Sequence, residues 1–261
     1  MKTYLAKTLT VFAVSAAATV TAFGGIKGAI SAPFNPDNLE DHGAPVFTAG
    51  GGTRGCLAPS SINKSLTPLT PHNLKLANNQ TVMPLTVQSH PEFFWYVPET
   101  AAEKVEFILA TENGDPVYQT ELAVPEEAGI MSVSLPQEEQ YALQEGTRYY
   151  WLISLICDSS DTDYAASGYI FVDGWIQRLE ADSELAQQVA QSQDPEDYAS
   201  AGIWQEALAY FARQRRNNPE DSAIAREWKE FLESVDLGQF ADVEFISSEP
   251  SARVASDSLA R

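Results

Sequence analysis

Residues 147–157 read Thr-Arg-Tyr-Tyr-Trp-Leu-Ile-Ser-Leu-Ile-Cys and form the longest run of strand-forming residues in the chain. Side chains alternate between the two faces of a strand, so one face carries every second residue from Tyr149 to Cys157, and all of these are apolar. The other face also carries large apolar side chains, namely Tyr150, Leu152 and Ile156. A strand that is apolar on both faces is typical of the middle of a sheet, so we expect this segment to lie centrally.

Shorter runs with the same alternation lie on both sides of this segment. One of them, with Phe107 on its apolar face, ends at residues 113–115, where the sequence Asn-Gly-Asp is a tight-turn signal. The predicted strands cover residues 82–88, 92–97, 105–111, 116–124, 130–135, 147–157 and 169–176. This spacing predicts an antiparallel β-sandwich over residues 81–178.

The start of the long strand carries a more specific pattern. Leu143, Gly146 and Thr147 precede Tyr149 at offsets that resemble the tyrosine corner of immunoglobulin-like and fibronectin type III domains. In that motif the phenol forms a hydrogen bond with backbone just upstream. Together with Trp95 on the second strand, the pattern predicts a fibronectin type III or immunoglobulin-like core.

The period changes from two to that of a helix after Gln177, and residues 180–240 are predicted to be helical. A first helix covers 183–193, with Asp182 or Ser183 as its cap. A second runs from Tyr198 to the arginines before residue 217, and a third covers 224–235. The fold class is therefore α+β, with the sandwich followed by a helical segment.

Residues 202–219 resemble the middle and end of a tetratricopeptide repeat. Ala207 is small enough to let paired helices approach closely, and Pro219 ends the unit. Only one such unit is visible, plus the following helix, whereas a solenoid needs about three repeats. We expect this helical hairpin to lean on the sandwich or on a partner.

The N-terminus has the order of a secretory signal peptide. Lys2 and Lys7 form a basic start, and an apolar run covers residues 8–23, shorter than the ~20 residues that a bilayer span needs. Small residues allow cleavage either before Phe23 or before Ala32, and the later site is favoured. We expect residues 1–31 to be removed, which favours an exported periplasmic or cell-surface protein over a membrane-anchored one.

Charge excludes two classes of partner. The chain has a formal net charge of −20, and residues 81–175 contain only two basic residues, Lys104 and Arg148. Such a surface repels phosphate backbones and anionic lipids. We therefore expect no nucleic acid partner and, after signal cleavage, no direct membrane insertion.

Two segments lack order signals. Residues 32–80 are rich in Pro, Asn, Gly, Ser and Thr, include the glycine-rich run 50–55, and are predicted to be a mostly irregular linker. Residues 247–261 are rich in Ser, Ala and charge and are predicted to be a disordered tail. The glycine run lacks the Lys-Ser/Thr pair of a phosphate-binding loop.

The chain has two cysteines, Cys56 and Cys157. In an oxidising compartment such a pair is more often a disulfide than two free thiols, so we predict a bridge between them. The alternative of free thiols stays open because the distance between the two residues decides whether they can be bridged.

No pattern assigns catalytic or cofactor-binding residues, and no cofactor is expected. The three histidines lie in loops or beside prolines with no metal-ligand spacing, and the Gly-x-Ser-x-Gly motif of α/β hydrolases is missing. Asp158, Asp161 and Asp163 are weak calcium candidates because carboxylate oxygens suit that ion. They lack the spacing of an EF-hand, and a solvated acidic loop is the favoured interpretation.

Several strings occur together in this chain that resemble one known family. They are Gly-Gly-Gly-Thr-Arg-Gly at 50–55, His-Pro-x-Phe-x-Trp-Tyr-Val-Pro at 90–98, Ser-Leu-Ile-Cys-Asp at 154–158 and Val-Asp-Gly-Trp-Ile-Gln-Arg at 172–178. The chain resembles the cyanobacterial family catalogued as domain of unknown function 928 over residues 46–240. The resemblance implies an exported protein of a photosynthetic bacterium and implies no activity.

These observations favour a non-enzymatic protein-binding or assembly module of the periplasm, whose partner is another protein. Both predicted modules serve mainly for contacts, although fold alone does not assign a function. Two alternatives remain. One is a carboxylate-dependent extracytoplasmic hydrolase acting on carbohydrate, and the other is a module that binds calcium or a small ligand.

Overall fold

The computed structural model describes residues 33–36, 43–44, 65–71, 74–76, 79–125, 127–156, 170–191 and 196–247. The described chain contains mostly β-sheet followed by C-terminal helices, which confirms the α+β class. The strands are β1 (Gly43–Ala44), β2 (Thr67–Pro68), β3 (Thr81–Val82), β4 (Leu85–Thr86), β5 (Glu92–Val97), β6 (Lys104–Thr111), β7 (Pro116–Ala123), β8 (Gly129–Ser134), β9 (Arg148–Ile156) and β10 (Ile170–Arg178).

The largest sheet has five strands in the order β4-β10-β9-β6-β7. Strand β9 lies in its middle, between β10 and β6, as its two apolar faces predict. The hairpin between β6 and β7 turns at Gly114, whose φ of 89° is readily adopted by glycine. Strand β4 pairs with β10 in parallel, whereas the other pairs in this sheet are antiparallel.

A second sheet of three strands, β2-β5-β8, is covered on both faces. Phe93 and Trp95 of β5 join a core with the five-stranded sheet, where Phe93 lies 5.0 Å from Phe107 between ring centroids. Phe94 and Tyr96 point the other way, into a core shared with the helices. The molecule therefore has three layers, with the small sheet between the large sheet and the helices.

The tyrosine corner predicted from the sequence is present. The backbone N–H of Gln144 donates a 2.6 Å hydrogen bond to the phenolic oxygen of Tyr149. Gly146, with φ of 71°, makes the bend between the two residues. The bond ties the loop before β9 to the core-facing side of the strand.

Two predicted segments differ from the structure. The strand expected over 82–88 is two short strands, β3 and β4, which belong to different sheets. Pro84 separates them, and a proline cannot donate a backbone hydrogen bond to a continuous ladder. The expected linker 32–80 contributes strands β1 and β2 and five buried core side chains, so the folded unit begins before residue 81. These side chains are Phe34, Ala44, Leu66, Leu69 and Leu76.

The helices are α1 (Glu184–Ala190), α2 (Glu196–Ser200), α3 (Trp204–Asn217) and α4 (Ser222–Glu233). Ser183 caps α1, as one of the two predicted caps, and Asp221 caps α4. The second predicted helix is interrupted at Gly202, whose φ is 79°, so α2 and α3 are separate. Helices α3 and α4 pack together, but a tetratricopeptide arrangement is not confirmed.

Three consecutive residues in the first turn of α3 attach the helices to the sheets. The Trp204 indole N–H donates to the carbonyl of Leu69 at 3.0 Å, and the Gln205 amide donates to the carbonyl of Glu92. The next residue, Glu206, accepts from the end of β4 through one oxygen, Oε1. Its donors are the hydroxyl of Thr86 at 2.6 Å and the backbone N–H groups of Val87 at 3.0 Å and Gln88 at 3.1 Å.

Glu206 is a carboxyl group in the protein interior, with 6% of the residue exposed. Its second oxygen, Oε2, is buried and has no hydrogen-bond partner among the described residues. Burial raises the pKa of this carboxyl, while its hydrogen bonds lower the pKa and offset part of the effect. The group is thus both an attachment point and a site of pH sensitivity.

Several sequence predictions lie outside the described residues. These are the signal peptide 1–31, the glycine-rich run 50–55, the Cys56–Cys157 bridge, the calcium candidates Asp158, Asp161 and Asp163, and the tail from residue 248 onward. Within the described residues, no helix has the length and apolar character that a membrane crossing requires.

The substitution Tyr149→Phe tests the tyrosine corner. Loss of the phenolic oxygen leaves the Gln144 N–H without its acceptor, so we expect the free energy of unfolding to fall by about 1–2 kcal/mol. Urea unfolding measures the change. Tyr141→Phe is the control, since the structure shows no hydrogen bond from that hydroxyl to a described residue. Equal effects of the two substitutions would contradict the role of the corner.

Substitutions at Glu206 test the attachment of α3. Glu206→Gln keeps an oxygen for the three donors, whereas Glu206→Ala leaves them unsatisfied and is expected to cost at least about 3 kcal/mol of stability. Because the folded pKa is raised, the folded state binds the proton more tightly. The contribution of Glu206 to stability should therefore be greatest at acidic pH and should fall as pH rises from 4.5 through the folded pKa.

Urea midpoints of the natural protein and Glu206→Gln, compared from about pH 4 to pH 8, measure this dependence. The natural protein should lose stability relative to the glutamine variant as pH rises. A constant difference between the two proteins across that range would rule out titration of Glu206.

Candidate functional site

The last described segment of the chain lies along the edge of the three-stranded sheet. The backbone N–H of Ile130, in β8, donates to the carbonyl of Glu244 at 2.8 Å. The N–H of Ile246 donates to the carbonyl of Ile130 at 2.9 Å, so the segment runs parallel to β8 at this point. Residues 244–246 therefore cover one end of the edge of β8.

No other described segment pairs with the rest of this edge. In an antiparallel ladder, alternate residues of β8 direct their backbone groups toward β5 and toward the outside. The backbone N–H and carbonyl of Ile130 both bond to the C-terminal segment, away from β5. Ser132 and Ser134 lie two and four residues further along β8, so their backbone N–H and carbonyl groups also point away from β5. No backbone hydrogen bond joins these outward groups to a described residue. The edge thus presents two N–H donors and two carbonyl acceptors.

A groove of about 640 Å³ adjoins the open edge. Its walls come from β8, from the C-terminal end of α3 with the loop that follows, and from the segment beside Ile130. The lining residues are Ile130, Ser132, Arg215, Arg216, Pro219, Glu220, Val243, Glu244, Phe245, Ile246 and Ser247. The lining combines five apolar residues with four charged residues and two serines, so most of the groove surface is polar.

Arg216 lies where the groove meets the edge of β8. Its guanidinium donates to the hydroxyl of Ser132 at 3.4 Å and to a carboxylate oxygen of Glu92 at 3.2 Å. The guanidinium carbon is 5.7 Å from the ring centroid of Phe94 and 5.4 Å from that of Phe245, within the range of cation–π contacts. These contacts hold the charge in place while 34% of the side chain stays exposed.

The sequence reasoning missed this site. The arginines at the end of α3 suit the negative end of the helix dipole, and this explains their position on the helix without indicating a site. The clustering of these arginines in the sequence could have indicated a site. Arg213, Arg215 and Arg216 lie in one window of four residues, although the whole chain has only 16 basic residues. The open edge of β8 leaves no comparable signal in the sequence.

Two smaller cavities, of about 290 and 480 Å³, share Ser89 and Arg178. The hydroxyl of Ser89 is 2.9 Å from Nδ1 of His90, and Nε2 of His90 is 3.3 Å from the carbonyl of Glu138. A catalytic serine needs its histidine oriented by a third group such as a carboxylate. No such bond to His90 occurs among the described side chains, so the pair lacks the geometry of a nucleophile and base.

Acidic groups form no metal cluster in the described parts of the chain. The buried carboxyl with a raised pKa, Glu206, lines none of the three cavities, since it is enclosed by the β4–α3 contact. The groove beside β8 is therefore the candidate site that the geometry favours.

Comparison with protein families gives an assignment for most of the chain. The family described as Domain of Unknown Function (DUF928) matches residues 49–245. The chain belongs to this family. The matched residues include strands β2 to β10, helices α1 to α4 and nearly all of the residues that line the groove.

Other comparisons add little to the DUF928 assignment. A structural neighbour is the fn3 domain of human collagen alpha-1(XX) chain, at 14% identity over 52% of this chain and 94% of that one, with a TM-score of 0.26. Similarity at this level carries no argument. No curated protein matches the chain significantly.

Gly129→Ala tests how the segment is held on β8. An added Cβ would lie 2.6 Å from Cγ2 of Ile246 and 3.0 Å from the carbonyl of Glu244, so the segment has to move away. We expect the amide of Ile246 to exchange with solvent at least about tenfold faster, which corresponds to ~1.4 kcal/mol. Hydrogen exchange measured by NMR follows this amide. Ser132→Ala is the control, and an unchanged rate in Gly129→Ala would refute the contact.

Proposed function

We propose that this DUF928 protein is an exported, non-enzymatic protein-binding module that acts in the periplasm or at the cell surface. The basic and apolar order of residues 1–31 supports export. The pair Cys56 and Cys157 suits an oxidising compartment, where a bridge would brace the strands. The net charge of −20 favours a protein partner over nucleic acid or anionic lipid.

The sandwich fits the proposed fibronectin type III-like module in three respects. A sheet of three strands faces the larger sheet, the tyrosine corner closes at Tyr149, and Trp95 is fully buried between the sheets. The pairing of α3 with α4 supports a tetratricopeptide-like hairpin as the second module, leaning on the sandwich through Glu206. Both kinds of module serve mainly for protein contacts, which is an argument by analogy.

The observation that carries the proposal is the groove beside the open edge of β8. An unpaired sheet edge is a template for another polypeptide, and natural proteins usually block such edges. Here the edge opens into a groove that combines apolar and charged side chains, among them the anchored guanidinium of Arg216. A concave surface of mixed polarity, next to backbone groups that have no partner among the described residues, suits a polypeptide better than a small substrate.

Site-specific photo-crosslinking tests the proposal. A photoreactive residue at Glu220 or Glu244, both exposed and both in the groove wall, should capture one defined protein in the intact cell envelope. The same residue at Gln188, exposed on α1 and outside the groove, is the control. In the cross-linked product, the chain of this protein should begin at Phe23 or Ala32, because export removes the signal peptide.

Cross-links of equal yield at all three positions would show that capture does not depend on the groove. If this protein still begins at Met1 in the cross-linked product, export is contradicted. Either result counts against the proposed function.

A further inference from the structure

We propose that the partner segment adds to the edge of β8 as an extended strand opposite Ser132 and Ser134, and that it is a largely apolar segment with one acidic side chain placed against Arg216. This inference rests on the proposed function and specifies the ligand of the same groove. It follows from the backbone groups of the edge, from the shape of the edge and from the charges around it.

The backbone groups supply the first argument. Ser132 and Ser134 together present four outward groups, and each hydrogen bond that an added strand makes contributes roughly 1 kcal/mol. Strand addition draws affinity from such main-chain bonds and specificity from pockets for alternate side chains. The groove lies beside this edge and provides such a pocket.

The edge is built to accept a strand. Native edges are usually blocked by proline, by charged side chains or by bulges. Strand β8 has none of these features, because residues 129–134 read Gly-Ile-Met-Ser-Val-Ser and pair with β5 in continuous register. The chain already uses one end of the edge this way, since residues 244–246 pair with Ile130.

The side chains define the ligand. A guanidinium has five N–H donors, of which Arg216 uses one toward Ser132 and one toward Glu92, so three donors of this groove-lining residue have no partner among the described residues. A carboxylate is the group that matches this geometry best. Because Glu220 and Glu244 also line the groove, a run of acidic residues would be repelled. One acid among apolar residues fits the charges.

A synthetic peptide tests the inference on the full chain. The probe is a capped peptide about six residues long, the usual length of a strand, with valine and threonine around one central glutamate. NMR titration should give saturable binding, with the amides of Ser132 and Ser134 shifted and protected from exchange. The same peptide with glutamine in place of glutamate should bind roughly five- to tenfold more weakly.

Variants separate the backbone from the side-chain contribution. Ser134→Pro removes an outward N–H without removing a bond to β5, and proline is tolerated at such positions, so the variant should keep its Tm and lose at least about tenfold in affinity. Ser134→Ala is its control. Arg216→Gln should abolish the preference for glutamate over glutamine, whereas Arg213→Gln, on the same helix and outside the groove, should keep it.

Some outcomes overturn the inference and leave the proposed function standing. In the first, a peptide N-methylated on alternate residues binds as tightly as the unmethylated peptide. In the second, Ser134→Pro does not change the affinity for the peptide. In both, the photoreactive residues in the groove still cross-link to a partner. If the full chain ignores the peptide and a chain ending at Ser247 binds it, residues 248–261 are the occupant. A concentration-dependent dimer that Ser134→Pro abolishes would instead identify a second copy. Either of these results overturns a separate partner.

Discussion

The attachment of the helices to strand β4 of the large sheet depends on one buried carboxyl group. Glu206 accepts three hydrogen bonds from residues 86–88 at the end of β4, in a place where an unsatisfied polar group would cost several kcal/mol. This requirement sets where the first turn of α3 lies on the sheets. A helix of 14 residues extends about 21 Å, so fixing its start also fixes its end. Arg215 and Arg216, the arginines of the groove, lie at that end.

The small sheet explains why the site lies at an edge. Strand β5 is buried on both faces because Phe93 and Trp95 pack against the large sheet while Phe94 and Tyr96 pack against the helices. A layer enclosed in this way has its faces occupied, and its remaining backbone groups can be reached only from the side. Strand β8 forms that side. The C-terminal segment occupies its first part at Ile130, and the groove begins where the segment departs.

Much of the fold was predictable because its signals are local. The alternation of apolar residues located β5 through β10 to within two residues, and the offsets before Tyr149 identified a hydrogen bond that the structure contains. Two features were missed for a physical reason. Strands β1 and β2 have two residues each, too few for a period, and they form because neighbouring strands offer partners. The site was missed entirely, since its backbone donors carry no side-chain signature.

The sequence by itself determined which segments form strands and helices, and which of their faces are apolar, because periodicity and turn residues act within a few positions of each other. It also determined the family and the overall charge. Only the tertiary structure decided that Arg216 meets Ser132, 84 residues away, and that the edge of β8 stays half open. Such pairings depend on how whole layers pack, and packing is set jointly by side chains that no local pattern connects.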